Sequence, residues 1–168
     1  MSRWSTVVGP SFLPAVVPAI ERITLTLWVG GLWTTGLVLA PVLFASFPRV
    51  YAGDIAGRLF TAMSFLGMTC GLILLTFAMV RCKTRVWRDW RALVLAAMLV
   101  ITVTGEFVLA QRMRMIRQAA AYHTQESPLR SEFGMLHGIS NGLYLVTAVL
   151  GLVLVVGGVR PQRDQDGN

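Results

Sequence analysis

The sequence predicts an all-α protein, an antiparallel four-helix transmembrane bundle. Three observations carry that prediction. Of 168 residues, 55% are hydrophobic and only 14% charged, where an ordinary soluble domain has about a quarter charged. Four apolar runs come close to or exceed the roughly 20 residues that a helix needs to cross a bilayer. The basic residues gather at the ends of those runs, where they read as topology signals rather than as a nucleic-acid surface. A mean hydropathy of +0.64 excludes disorder, a nucleic-acid arm and a multidomain soluble enzyme.

Residues 1–22 read as an interfacial lead-in. Arg3 before an apolar stretch imitates a signal peptide, but Pro10, Pro14 and Pro18 interrupt the stretch and no cleavage pattern follows. Pro18 is expected at the first turn of helix 1. That helix covers about 23–46, and Pro41 inside it should kink it and free a backbone carbonyl. Helix 2 covers about 59–80, helix 3 about 92–110 and helix 4 about 133–159, followed by a polar tail, 160–168. Unbroken apolarity at this length argues helix over barrel strand. Helix 3 is open to continuation as RMRMIRQAAAYH, beyond the bilayer.

Lys and Arg set the orientation. One side holds Arg3, Arg22, Arg81, Lys83, Arg85, Arg88, Arg91, Arg160 and Arg163, nine in all; the other holds Arg49, Arg58, Arg112, Arg114, Arg117 and Arg130, six. The excess puts both termini and the 81–91 loop in the cytoplasm. A single lysine among 15 basic residues suggests a GC-rich bacterial genome, hence a bacterial inner (plasma) membrane. Cys70 and Cys82 predict no disulfide and no metal cluster.

Small residues mark candidate packing faces. Gly134, Gly138 and Gly142 form a tandem GxxxG on helix 4, and Gly67 with Gly71 forms a pair on helix 2. Such spacing lets helix backbones approach closely, either within the bundle or between subunits.

Two ionisable groups fall inside the spans, where each costs roughly 2.5–3.5 kcal/mol at mid-helix. Glu106 and His137 lie at similar depth on consecutive antiparallel helices, so they are expected to face each other. Asn141 and Tyr144 follow His137 at i+4 and i+7 and form one polar stripe with it. Leu136, Ile139, Leu143 and Leu150 are then expected to face lipid, with the Arg49 region closing the mouth of the pocket. For His137 a hydrogen-bonded core histidine competes with a ligand or proton-handling role. For Glu106, contact with water or with Arg112 and Arg114 is the structural alternative. Haem or metal would have to come through His137, helped by His123 or a methionine, and no cofactor is expected. No HxxxH, CxxC, phosphate loop or nucleophile motif occurs.

Two stretches, APVLFASFPRVYAGDIAGRLF (Ala40 to Phe60) and FGMLHGISNGLYL (Phe133 to Leu145), resemble the four-span membrane proteins typified by animal transmembrane protein 205. Bacterial members of that group are known as a domain of unknown function. Pro48, Arg49, Gly53, His137, Gly138 and Ser140 are among the matching residues. The chain departs from the pattern at Tyr144, where an asparagine is usual, and at Glu21 and Arg22, where a histidine is common. The resemblance implies a fold and a membrane address without an activity.

The function expected is that of a non-enzymatic membrane or accessory protein, packing through glycine faces into a homo-oligomer or a larger membrane complex. The alternatives are a small-solute, ion or metal handling protein using the Glu106/His137/Asn141 pocket, or a haem- or metal-bearing oxidoreductase. The lipid bilayer is the one certain partner, and no nucleic acid is expected.

Overall fold

A computed structural model describes residues 13–82, 88–119 and 128–158. His123, Lys83, Arg85, most of the lead-in and the polar tail lie outside the described residues. Four long helices make up the bundle, and there is no strand among the described residues. Helix α1 comprises an α-helical part Leu13–Thr34, a π-helical turn Thr35–Leu39 and a second α-helical part Ala40–Ser46. Helix α2 is Arg49–Cys82. Helix α3 comprises Trp90–Thr104, a π-helical turn Gly105–Ala110 and Gln111–Gln118. Helix α4 is Pro128–Gly158. Each of the four contains a stretch long and apolar enough to cross a membrane.

The helix ends follow from local chemistry. Phe47 precedes Pro48, whose ring bars the helical conformation from its neighbour. Phe47 is accordingly extended, at φ −128° and ψ 153°, and α2 starts at once, with the Pro48 carbonyl accepting from the Ala52 N–H. Asp89 caps α3 by accepting from the Arg91 N–H at 3.0 Å. The helices outrun the apolar runs that predict them. Helix α2 has 34 residues, about 50 Å at 1.5 Å per residue, against a hydrocarbon core of about 30 Å. Helix α1 begins before the expected lead-in ends, so Pro18 lies inside the helix and not in its first turn. Helix α3 continues through Arg112, Arg114 and Arg117.

Pro41 disturbs α1 as expected, and the disturbance takes the form of the π-turn just before it. A proline cannot donate to the ladder and crowds the carbonyl four residues back. The Ala40 N–H bonds instead to the Thr35 carbonyl, five residues back, which is the wider π pattern.

Each helix packs on its two ring neighbours, α1 on α2, α2 on α3, α3 on α4 and α4 on α1. The end where α1 meets α2, and α3 faces the start of α4, is here termed the second end; the other is the first end. Trp28, Cys70, Leu74, Leu95, Met98 and Leu154 form a closed core in the half near the first end. Trp28 is fully buried because the predicted packing pair on α2 makes room for it. A Cβ on Gly67 would lie 2.5 Å from Trp28 Nε1, and one on Gly71 3.1 Å from Trp28 Cη2. On α4, Gly151 plays the same part for Val29 and Met98.

The glycines of the tandem GxxxG are different. Among the described residues, a Cβ on Gly134, Gly138 or Gly142 would meet nothing within 4 Å, so this stripe serves no close packing between them. Replacing Gly67 with leucine should push into the Trp28 indole and lower stability by about 1–3 kcal/mol, whereas Gly134→Leu should leave the isolated chain almost unchanged. Denaturant unfolding in detergent micelles, followed by tryptophan fluorescence, measures the difference.

Candidate functional site

The polar residues collect in the half of the bundle near the second end. Glu106 sits in the π-turn of α3 and is 4% exposed. Its Oε1 accepts from Thr61 Oγ1 on α2 at 3.2 Å and from Arg114 Nη1 at 3.0 Å. Arg114 Nη1 also lies 3.4 Å from Thr61 Oγ1, so one guanidinium, one hydroxyl and one carboxylate close a three-membered cluster between α2 and α3. The Arg114 side chain is 51% exposed and carries the cluster outward to solvent.

The π-turn is what makes this pair. Along a straight α-helix at 100° per residue, positions i and i+8 diverge by about 80°. One residue inserted as a π-turn adds length with little net rotation, leaving the two within about 20°. The long side chain of Arg114 leans toward the helix N-terminus, as helical side chains do, and so reaches back to Glu106.

The neighbouring arginines are tethered as well. Arg112 Nε pairs with Glu132 of α4 at 2.9 Å, and Arg117 pairs with Asp54 of α2 while its guanidinium lies 5.1 Å from the centre of the Phe133 ring. The end of α3 is thus fastened to both of its neighbours by charge.

On α4, Tyr144 crosses to α1. Its hydroxyl donates to the Leu32 carbonyl, and its ring lies against Gly36. The phenol thus ties α4 to α1 just before the π-turn that begins at Thr35 and adds a donor from another helix to a main-chain carbonyl there. Gly36 leaves room for this approach, since a Cβ there would come 3.0 Å from Tyr144 Cε1, closer than an ordinary van der Waals contact. Phe60 packs edge-on against the Tyr144 ring, centroids 5.1 Å apart.

The expected Glu106–His137 pair does not form. Glu106 turns to Thr61 and Arg114, while His137 is exposed and stacks on Phe133 of its own helix, centroids 6.0 Å apart. Asn141 is exposed too, and Arg49 is exposed at the start of α2, outside the cluster. The predicted lipid-facing side of α4 also needs correction. Leu136 and Leu143 are half-buried and Leu150 packs on the core; of the four only Ile139 is exposed. The reason lies in α1. Its Leu13–Thr34 part packs on α4, but from Thr35 onward no Cα comes within 8 Å of that helix. The α1–α4 seam opens toward the second end, and Tyr144 reaches across it. His137 and Asn141 lie on the Tyr144 side of α4, at the level where the seam has opened.

Sequence reasoning finds Glu106, Tyr144 and Arg114 as an alternative contact, and misses Thr61, a threonine in an apolar helix indistinguishable from Thr69 or Thr76. Among the described residues no three His, Cys, Asp or Glu side chains come together as a metal site would require.

A family model described as a domain of unknown function (DUF4149) matches residues 23–121, from within α1 to past the end of α3. No curated protein matches the chain, and no solved structure matches it. Removing the Tyr144 hydroxyl as Tyr144→Phe leaves the Leu32 carbonyl without that donor. Stability should fall by about 1–3 kcal/mol, read from unfolding in micelles, with helix content in the folded state unchanged.

Proposed function

Taking as premise that the chain belongs to the DUF4149 family, a family without an assigned activity, we propose that it is a non-enzymatic membrane protein that assembles with further copies of itself through the open face of α4. The observation that carries this reading is the combination on that face. Gly134, Gly138 and Gly142 leave a strip of helix surface that nothing among the described residues packs against, and the exposed His137 and Asn141 flank it. In lipid the amide and the imidazole lack hydrogen-bonding partners, and helix association through small residues is the usual way of supplying them. A second copy suits the face because the contact would be self-complementary. An asparagine amide both donates and accepts, so two Asn141 side chains meeting across a two-fold axis satisfy each other.

The exposed surface supports the membrane setting. Ile23, Leu27, Leu37, Val80, Val100, Val108, Leu145 and Val156 are all exposed, a continuous apolar coat that a soluble monomer does not carry. The likeness to the transmembrane protein 205 group implies the same four-span fold. We place both termini and the 81–91 loop in the cytoplasm of a bacterial cell, the protein lying in its inner membrane. Three of the six basic residues on the opposite side, Arg112, Arg114 and Arg117, are bound by carboxylates, which accounts for their presence there. Arg81 is likewise paired, with Glu21, at 3.1 Å.

Gly138→Leu should convert the assembly to monomer while all four helices still insert, as native mass measurement from detergent or membrane mimetics would record. A wild-type protein that is already monomeric overturns the reading. Reporter fusions after residues 85 and 125 test the orientation: the first should report cytoplasm and the second the opposite side.

A further inference from the structure

Three of the four helices reach the first end in the same order, exposed apolar residues and then arginine. On α1, exposed Arg22 stands directly beside exposed Ile23. On α2, exposed Met79 and Val80 run straight into Arg81, whose side chain is 59% exposed. On α3, exposed Arg88 and half-buried Arg91 come just ahead of exposed Leu93. The rims of α1 and α2 share one level, because Glu21, the neighbour of Arg22, pairs with Arg81. Those of α3 and α4 are joined by Trp90, which lies so close to Gly157 that a Cβ there would come 2.7 Å from Trp90 Cη2. The Trp90 side chain is exposed all the same.

The charge at this end exceeds what the chain itself compensates. The four-span topology gives it nine basic residues and four acidic ones, Glu21, Asp89, Asp164 and Asp166, against six and four at the second end. Of the formal charge of +7, a share of +5 therefore falls at the first end. Among the described residues neither Arg22 nor Arg88 has a carboxylate partner. Arg81 gives an N–H to Glu21, one of the five that a guanidinium carries.

From this we infer that the rim of the first end is a binding surface for anionic phospholipid. Arg22 with Arg81 on one flank, and Arg88 with Trp90 on the other, take lipid phosphates, while the acyl chains lie along the apolar surface that begins at Ile23, Val80 and Leu93. Guanidinium groups match phosphate oxygens in geometry as well as charge, and an indole at this depth offers its N–H to the headgroup layer. Basic clusters at the end of a membrane helix attract anionic lipid through the same field. The uncompensated charge selects a lipid with net negative charge over a zwitterionic one, whose own cation balances its phosphate. An acidic soluble protein would meet the arginines but not the apolar surface beside them. The inference depends neither on assembly nor on which leaflet the first end occupies.

Native mass measurement of the full chain supplies the test. The protein in detergent is offered equal amounts of phosphatidylglycerol and phosphatidylcholine with the same acyl chains, and the lipids retained per chain are counted. Wild type should retain phosphatidylglycerol in preference. Arg22→Gln and Arg88→Gln should each lower the ratio of the two lipids about fivefold. Arg49→Gln combined with Arg58→Gln, which removes two exposed arginines at the second end, should leave the ratio unchanged. Gly138→Leu should bind as wild type whatever its oligomeric state, and excess inorganic phosphate should not displace the lipid. The inference is overturned if wild type retains the two lipids equally, or if the second-end variant lowers the ratio as far as the first-end variants do. It is overturned equally if inorganic phosphate displaces the lipid, since the surface would then be a site for soluble anions. Should a variant fail to insert, the wild-type ratio and the phosphate competition decide.

Discussion

Each polar group that this chain carries into the apolar layer has to be accommodated there, because the lipid offers no hydrogen bond in exchange. Most of the accommodation is local. Ser64, Thr69, Thr76, Thr102 and Thr147 each donate to the carbonyl one turn back in their own helix, which makes them nearly neutral passengers. Two groups are too demanding for that solution. The Glu106 carboxylate recruits an arginine from two turns away, and the Leu32 carbonyl of α1 recruits a phenol from another helix. Both solutions coincide with a π-turn, and each comes with a contact to another helix, from Thr61 of α2 to Glu106 and from Tyr144 of α4 to Leu32. The polar exceptions therefore supply much of the specificity that dispersion contacts between aliphatic side chains lack.

The π-turns also divide the molecule along its length. In the half near the first end, helices α1 to α4 close around Trp28, Met98 and Leu154, with glycines removing the side chains that would obstruct the indole. Past the turn in α1, the Ala40–Ser46 part has no buried residue and no longer approaches α4. A proline that would be merely disruptive in the middle of a packed helix is harmless here, because the segment it starts packs chiefly on α2. The opening of the seam, the exposure of His137 and Asn141, and the reach of Tyr144 follow from this one departure.

Much of the fold was legible in the sequence, and what was not has a definite cause. Length, apolarity and the Phe47–Pro48 joint suffice for four spans and the first hairpin. Gly67 and Gly71 are readable as packing positions because their spacing on a regular helix fixes their common face. Depth is also readable, since it needs only a count of residues: Glu106 lies toward the end of α3 and His137 toward the start of α4. Azimuth is the quantity that fails. One inserted residue in α3 changes the angle between Glu106 and Arg114 by roughly a quarter-turn, and the sequence GEFVLA carries no mark that announces it. On α4 the helix is regular, so His137, Asn141 and Tyr144 share one side by spacing alone. What could not be read was the neighbour that should have covered it, because its absence is caused by a turn in α1.

The two polar features near the second end answer to opposite demands. The Glu106 cluster is a charge kept from lipid by partners inside the chain, and it holds α3 against α2. His137 and Asn141 are polar groups left facing outward by the chain, beside glycines that would let another backbone come close. Between them stands Tyr144, whose ring touches Phe60, the residue next to Thr61 of the cluster, and whose hydroxyl holds α1 at its turn. A change on either side has Tyr144 as the nearest rigid neighbour in common. The tightly packed half near the first end cannot follow such a change without opening its core around Trp28. In the half near the second end, by contrast, ion pairs hold the end of α3 and the end of α1 rests on α2.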